Sequence, residues 1–116
     1  MGKSVRIAVV GPCSSGKSAL AAELRQLGYE VRQPAQEHSY VADMWWRLLQ
    51  PDLLIYLDVD YEAAHARRPT TTTPQRLVEQ HERLSHARQH CDFYLDTSGK
   101  TAEEVKTAVF QFLQSL

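Results

Sequence analysis

Two cysteines, Cys13 and Cys91, are too few for a disulfide framework in a chain of 116 residues. A reducing cytoplasm is the setting this predicts. No apolar run approaches the roughly 18 residues that a membrane span requires, so no membrane partner is expected. The net charge is −1, which argues against a nucleic-acid-binding surface. Lys3 and Arg6 lead into a β-prone run and not into the apolar core of a secretion signal. The sequence has no internal repeat, no linker and no low-complexity stretch beyond the four threonines Thr70–Thr73. Hydrophobic residues make up 43% and charged residues 23%, the balance of a single globular domain over residues 1–116.

What the chain does carry stands near its start. Gly11-Pro12-Cys13-Ser14-Ser15-Gly16-Lys17-Ser18 matches the spacing G-x-x-x-x-G-K-[ST] at every fixed position. A β-prone run, Val5 to Val10, precedes it, and a helix-prone run, Ala19 to Leu24, follows. Successive backbone N–H groups in such a turn form a concave nest for an anion. Gly11 and Gly16 allow a close approach and backbone angles that a Cβ would block. The helix N-terminus adds partial positive charge and unpaired donors. Lys17 supplies a point charge for the β- and γ-phosphates, and Ser18 offers a hard oxygen to Mg²⁺. The residues expected to bind ATP·Mg²⁺ are therefore Gly11, Pro12, Cys13, Ser14, Ser15, Gly16, Lys17, Ser18 and Ala19.

Strand and helix patterns alternate along the rest of the chain. Val5–Val10 reads as a buried parallel strand, and the helix after the loop places Leu20, Leu24 and Leu27 on one face before a C-cap at Gly28. Tyr29–Gln33 alternates and reads as an edge strand ahead of Pro34. Ser39 caps a helix with Val41, Trp45 and Leu48 on its stripe, and Pro51-Asp52 ends it. Leu53–Val59 is a second buried strand, closed by the carboxylate of Asp58. Asp60 caps a short helix to Arg68. Thr73-Pro74 opens another, with Leu77, Val78 and Leu84 on its inner side and a strongly polar remainder, the mark of a helix partly detached from the core. Phe93–Asp96 is a short strand. Thr101-Ala102-Glu103-Glu104 is a capping box for a last helix carrying Val105, Val109, Phe112 and Leu116. Right-handed crossovers then predict an α/β fold: a three-layer α/β/α arrangement on a small, mostly parallel sheet of four or five strands. Ligands bind such sheets at the carboxyl ends of the strands, where the loop, Glu37, Asp58 and Asp96 all fall.

At the glycine loop the chain resembles the P-loop nucleoside triphosphate-binding proteins. Two further stretches are similar to the nucleoside and nucleotide monophosphate kinase branch: Pro51–Asp60 continuing to Arg67-Arg68, and Asp92–Gly99 continuing to Val105. The resemblance implies a phosphate lysine at Lys17 and a metal hydroxyl at Ser18. It implies lid arginines at Arg67 and Arg68, in a lid-like segment over about 67–90, that clamp a transferring phosphate. Thr97, Ser98, Gly99 and Lys100 match the loop bordering the adenine ring, and Glu37 the acidic base or water-holding acid. An arginine often follows that acid in the branch; His38 follows here. Only about twenty-five residues, Gly28 to Asp52, fill the place of the acceptor-binding segment, which is short for such a role. The acceptor pocket is abbreviated, completed by the second chain of a homodimer, or absent.

Several constellations carry two readings. Asp58 ends an apolar strand and is either a metal-shell acid beside Ser18 or the start of the turn that follows. Arg67 and Arg68 are either phosphate ligands or helix-end charges that suit the dipole. His86 and His90 lie one helical turn apart beside Cys91, but His81 to His86 is one residue too long for the H-E-x-x-H zinc pattern, so a wet helix face is the better account. Asp96-Thr97-Ser98-Gly99 imitates a GTPase motif, yet no N-K-x-D follows it. The expected function is a kinase-like phosphotransferase using ATP and Mg²⁺ on a small-molecule acceptor that the sequence does not name. A non-catalytic nucleotide sensor and a simple ATPase stay open beside it.

Overall fold

The strand β1 (Arg6–Val10) is buried on both faces from Ile7 onward, as its unbroken apolar run requires. The structure, a computed structural model, describes residues 5–34, 46, 50–69 and 73–116. The expected acid Glu37, the expected helix stripe of Val41, Trp45 and Leu48, and Thr70, Thr71 and Thr72 lie outside the described residues.

The described elements follow β1 in the order α1 (Lys17–Gln26), β2 (Glu30–Arg32), β3 (Leu53–Asp58), α2 (Tyr61–Arg67), α3 (Pro74–Arg83), α4 (Ser85–His90), β4 (Phe93–Asp96) and α5 (Ala102–Gln114). The four strands form one sheet in the order β2-β1-β3-β4, and every pairing is parallel. The chain is thus an α/β fold, as expected. β2 stands at one edge with only Val31 buried, as its alternation predicts.

Two aspartates set the register. Asp52 accepts from the Arg6 N–H at 2.9 Å and donates its own N–H to Arg6 O at 2.8 Å. Asp92 repeats this one strand along, accepting from the Leu54 N–H at 2.8 Å and donating to Leu54 O at 2.8 Å. Each aspartate, standing just before its strand, therefore ties the start of that strand to the neighbouring one. Ile7 then lies opposite Leu53, and Ile55 opposite Phe93. A one-residue slip would turn every side chain to the wrong face.

Helices cover both faces of the sheet. On one, α1 and α5 pack Leu20, Ala21, Leu24, Val105, Val109 and Leu113 onto Ile7, Val9, Val31, Ile55 and Leu57. On the other, Leu84 and Ala87 cover Ala8, Val10, Leu54 and Tyr56. The expected caps are present. Thr73 accepts from the Arg76 N–H, Asp60 from the Ala63 N–H, and Thr101 and Glu104 form a reciprocal capping box. Gly28 has φ +95°, the left-handed end of α1. Three expected core positions face solvent instead. Leu116 is 72% exposed because α5 ends at Gln114, and Leu113 is buried in its stead. Leu27 is 50% exposed because α1 ends at Gln26, so the last step of its stripe is already in the turn. Val78 is 56% exposed, and its inner place on α3 is taken by Gln80.

Candidate functional site

β1 ends under the glycine loop, and α1 begins at its last residues. Gly11 can only be glycine: a Cβ there would collide with the backbone oxygen of Leu57 on β3 and press on Ser15 Oγ. Gly16 has φ +96° and caps α1 from the left-handed region. Ser14 also has a positive φ, +70°, an uncommon conformation for a residue with a side chain and one that tends to gather at functional sites.

The loop is held from several sides. Lys17 Nζ donates to Gly11 O at 2.7 Å. Arg67 Nη1 donates to Ser14 O at 2.6 Å and to Thr97 Oγ1 at 3.1 Å, while its Nη2 donates to Thr97 O at 2.8 Å. Thr97, buried, has its hydroxyl within 3.0 Å of Ser15 O and 2.9 Å of Asp58 O. From α3, Gln80 Oε1 accepts from the Cys13 N–H at 2.8 Å and Gln80 Nε2 donates to Cys13 Sγ at 3.3 Å. Three carbonyls and one amide of the loop are therefore fixed by partners 6 to 82 residues away. By contrast, the buried hydroxyls of Ser14 and Ser15 have no hydrogen-bond partner among the described residues. Buried polar groups without a partner are rare and call for an explanation.

A cavity of about 780 Å³ opens over this loop, a size in the range of small-ligand sites. Cys13 to Ala19 line it, and so do Arg67, Arg68 and Thr97. It continues along the groove between α1 and α5, past Glu23 and Lys106. There Lys106 Nζ lies 3.3 Å from Glu23 and 3.2 Å from Glu103. Arg68 lines the cavity, and its guanidinium makes no hydrogen bond or ion pair among the described residues, whereas Arg67 is committed to the loop. Gly11 and Pro12 are buried and do not line the cavity.

Asp58, Ser98 and Gly99, expected at the site, are not among the lining residues. Asp58 Oδ1 pairs with His81 Nε2 at 2.7 Å and accepts from the Val59 N–H at 2.8 Å, and its Oδ2 accepts from the Tyr94 hydroxyl at 2.6 Å. Burial, then the hydrogen bond to Asp58, pushes the Tyr94 phenol up to about 12, so it stays a donor. Tyr94 also stacks on Tyr56 and lies under the Arg88 guanidinium. Burial, more than the nearby Asp58, raises the Tyr56 phenol well above its ordinary value. Ser98 accepts from the Asp60 N–H at 2.8 Å and tethers the Asp96 carboxylate, which its hydroxyl and amide hold below the usual range.

Two residues that hydrogen-bond the loop were not anticipated from the sequence. Gln33, just past β2, accepts from Ser18 Oγ at 3.0 Å and lines the cavity. Gln80 grips the loop. The signal for Gln80 was present: it falls on the Leu77, Gln80, Leu84, Ala87 stripe, where a polar residue needs a buried partner. Gln33 left none, since a glutamine before a proline is ordinary in a turn. Among the described residues no three His, Cys, Asp or Glu side chains gather to hold a metal ion. No described helix is long and apolar enough to cross a membrane. No protein-family model matches the chain, and no curated protein matches it.

Proposed function

We propose that the Gly11–Ser18 turn is a phosphate loop and that the cavity above it takes ATP with Mg²⁺. The observation that carries this is the join of β1 to α1. A left-handed Gly16 opens the helix N-terminus into a cavity of about 780 Å³, with Lys17 and Ser18 as its first helical residues. Anions bind such termini through N–H donors and the helix dipole. Fixed carbonyls at Gly11, Ser14 and Ser15 hold the peptide planes before any ligand arrives, so little reorganisation accompanies binding.

The donor set suits magnesium. Mg²⁺ keeps several waters and takes one or two protein oxygens plus phosphate oxygens. The Ser18 hydroxyl, which donates to Gln33, supplies such an oxygen, and no cluster of three carboxylate, thiol or imidazole ligands stands among the described residues. Bound there, the ion would neutralise charge on the β- and γ-phosphates. Lys17 adds a second cation. Arg68 is the lid arginine left to meet the transferring group, and Arg67 acts as a strut. Glu37 remains the proposed acid that orients the nucleophile. In the kinase reading an acceptor oxygen bonds to the γ-phosphorus as the bond to the β-phosphate oxygen breaks, and ADP leaves. Of Thr97, Ser98 and Gly99, expected to border the base, Thr97 lines the cavity and holds Ser15 O of the loop, whereas Ser98 and Gly99 stand off it and support the chain behind. A cytoplasmic location fits a protein built to use ATP.

Calorimetry with ATP·Mg²⁺ tests the reading. The wild-type chain binds; Lys17→Ala loses about 2–3 kcal/mol of affinity, on the order of 100-fold, while its far-ultraviolet dichroism and melting stay close to wild type. Equal affinity in the two proteins overturns the assignment. The short span between β2 and β3 favours a second reading, a nucleotide sensor without transfer. ADP release that never exceeds the enzyme-free control across a panel of acceptors, water included, selects it. Acceptor-independent release selects a simple ATPase.

A further inference from the structure

We propose that Gln80 is a positioning residue that shapes the front of the nucleotide loop from the opposite side of the sheet, making α3 part of the binding apparatus. This rests on the reading of the Gly11–Ser18 turn as a phosphate loop.

The placement of Gln80 is the first argument. α3 is strongly polar, and its buried residues are Leu77 and Gln80. Leu77, Gln80, Leu84 and Ala87 follow one another at helical steps of three, four and three, and all are buried. An apolar side chain at position 80 would extend the stripe. A carboxamide there gives up water at four hydrogen-bonding positions and lowers stability unless it finds partners. Its partners are not in the sheet below but in the loop, 67 residues away in sequence.

The chemistry of the contact is the second. Oε1 accepts the Cys13 N–H at 2.8 Å and Nε2 donates to Cys13 Sγ at 3.3 Å, so one planar amide grips both the backbone and the side chain of a single residue. Cys13 immediately precedes Ser14, which sits at φ +70°. Arg67 holds the carbonyl of Ser14 from the other side. The strained residue is thus held at its own carbonyl by a donor on α2, and the residue before it is held at its N–H by an acceptor on α3. Releasing either clamp lets the loop relax toward commoner backbone angles, and the nest must then be rebuilt when the ligand binds. The adjacent His81 pairs with Asp58, which anchors α3 to the end of β3 and keeps Gln80 in reach.

The test uses the full chain. Amide hydrogen exchange on the nucleotide-free protein reads the bond directly: the Cys13 N–H exchanges slowly, and fast exchange there overturns the proposal. Gln80→Met keeps the volume and loses both hydrogen bonds. Its ATP·Mg²⁺ affinity falls about tenfold, the size of one lost hydrogen bond in the bound shape, chiefly through slower association of a fluorescent ATP analogue. Gln80→Glu keeps the acceptor but sets a carboxylate behind the loop that would hold the polyphosphate. Its affinity falls further, and raising the salt concentration restores part of it, a response that packing alone does not give. Glu79→Gln, one residue away and exposed, binds as wild type. Gln80→Met binding within twofold of wild type overturns the proposal while the nucleotide reading stands. A wild-type chain that binds no ATP·Mg²⁺ removes both.

Discussion

The two faces of the sheet are built from different materials. Among the described residues, eleven lie buried under α1 and α5, all apolar, with Tyr29, Leu53, Phe93, Leu95 and Phe112 packed at their margin. Under α3 and α4 the buried cluster holds six residues with Cys91 at its edge. The first face is closed by long aliphatic chains from two helices of ten and thirteen residues. The second is closed by Leu84 and Ala87, while the polar groups of the same helices reach the strand ends: Gln80 to Cys13, His81 to Asp58, Arg88 over Tyr94. Among the described residues, the first face supplies the larger share of the apolar burial. The other trades burial for directional contacts, and these converge on the loop and on the carboxyl end of β3.

The largest effect expected from this contrast is in core truncation. Leu24→Ala opens a void in the larger cluster and should cost about 4 kcal/mol, near the upper part of the usual range for such changes. Leu84→Ala, equally buried but under a thinner layer that can close in, should cost about 2–3 kcal/mol. Urea denaturation of both variants compares them, and a larger loss for Leu84→Ala would break the contrast. A smaller effect lies in the caps. Thr101→Ala removes one half of a reciprocal box on α5 and should cost about 1–2 kcal/mol, against about 0.5–1 kcal/mol for Thr73→Ala, which loses a single bond on α3. Equal losses in thermal melts would say that α3 is as tightly coupled to the fold as α5.

The smallest effect concerns the rim between the faces. Ser98 holds the Asp96 carboxyl below its usual value of 3.8, first through its hydroxyl and then through its amide. The folded chain therefore binds fewer protons than the unfolded chain in acid. The stability Asp96 contributes is complete above the unfolded value and disappears as pH falls through the lower folded one. Asp96→Asn should lower the melting temperature slightly at neutral pH, and the gap to wild type should close as pH falls below about 4, which flattens the acid limb of the profile. A profile parallel to wild type would remove Asp96 from the account.

Much of this architecture was legible from local pattern. The apolar run of β3, the alternation around Val31, the caps at Asp60, Thr73 and Thr101 and the turn at Gly28 are each set by neighbours a few residues away, and each formed as expected. The position of Arg67 at the cavity was legible too, but not its partners. Leu27 and Val78 show the limit: helical spacing marks a stripe, yet where the helix stops and how it rolls on the sheet decide which members of the stripe are covered.

Sequence alone was enough for the alternation of strands and helices, the glycine turn between the first pair, and the balance that excludes a disulfide scaffold. Those are matters of period, cap and composition, which a chain carries residue by residue. Only the folded molecule decided that Arg67 is bound to Ser14 and Thr97, that Asp58 is joined to His81 and Tyr94, and that Gln80 holds Cys13. Each of those contacts spans 23 to 67 residues. No local periodicity encodes such a pairing; it exists because the packing of helices on a parallel sheet brings the strand ends and their loops to one edge.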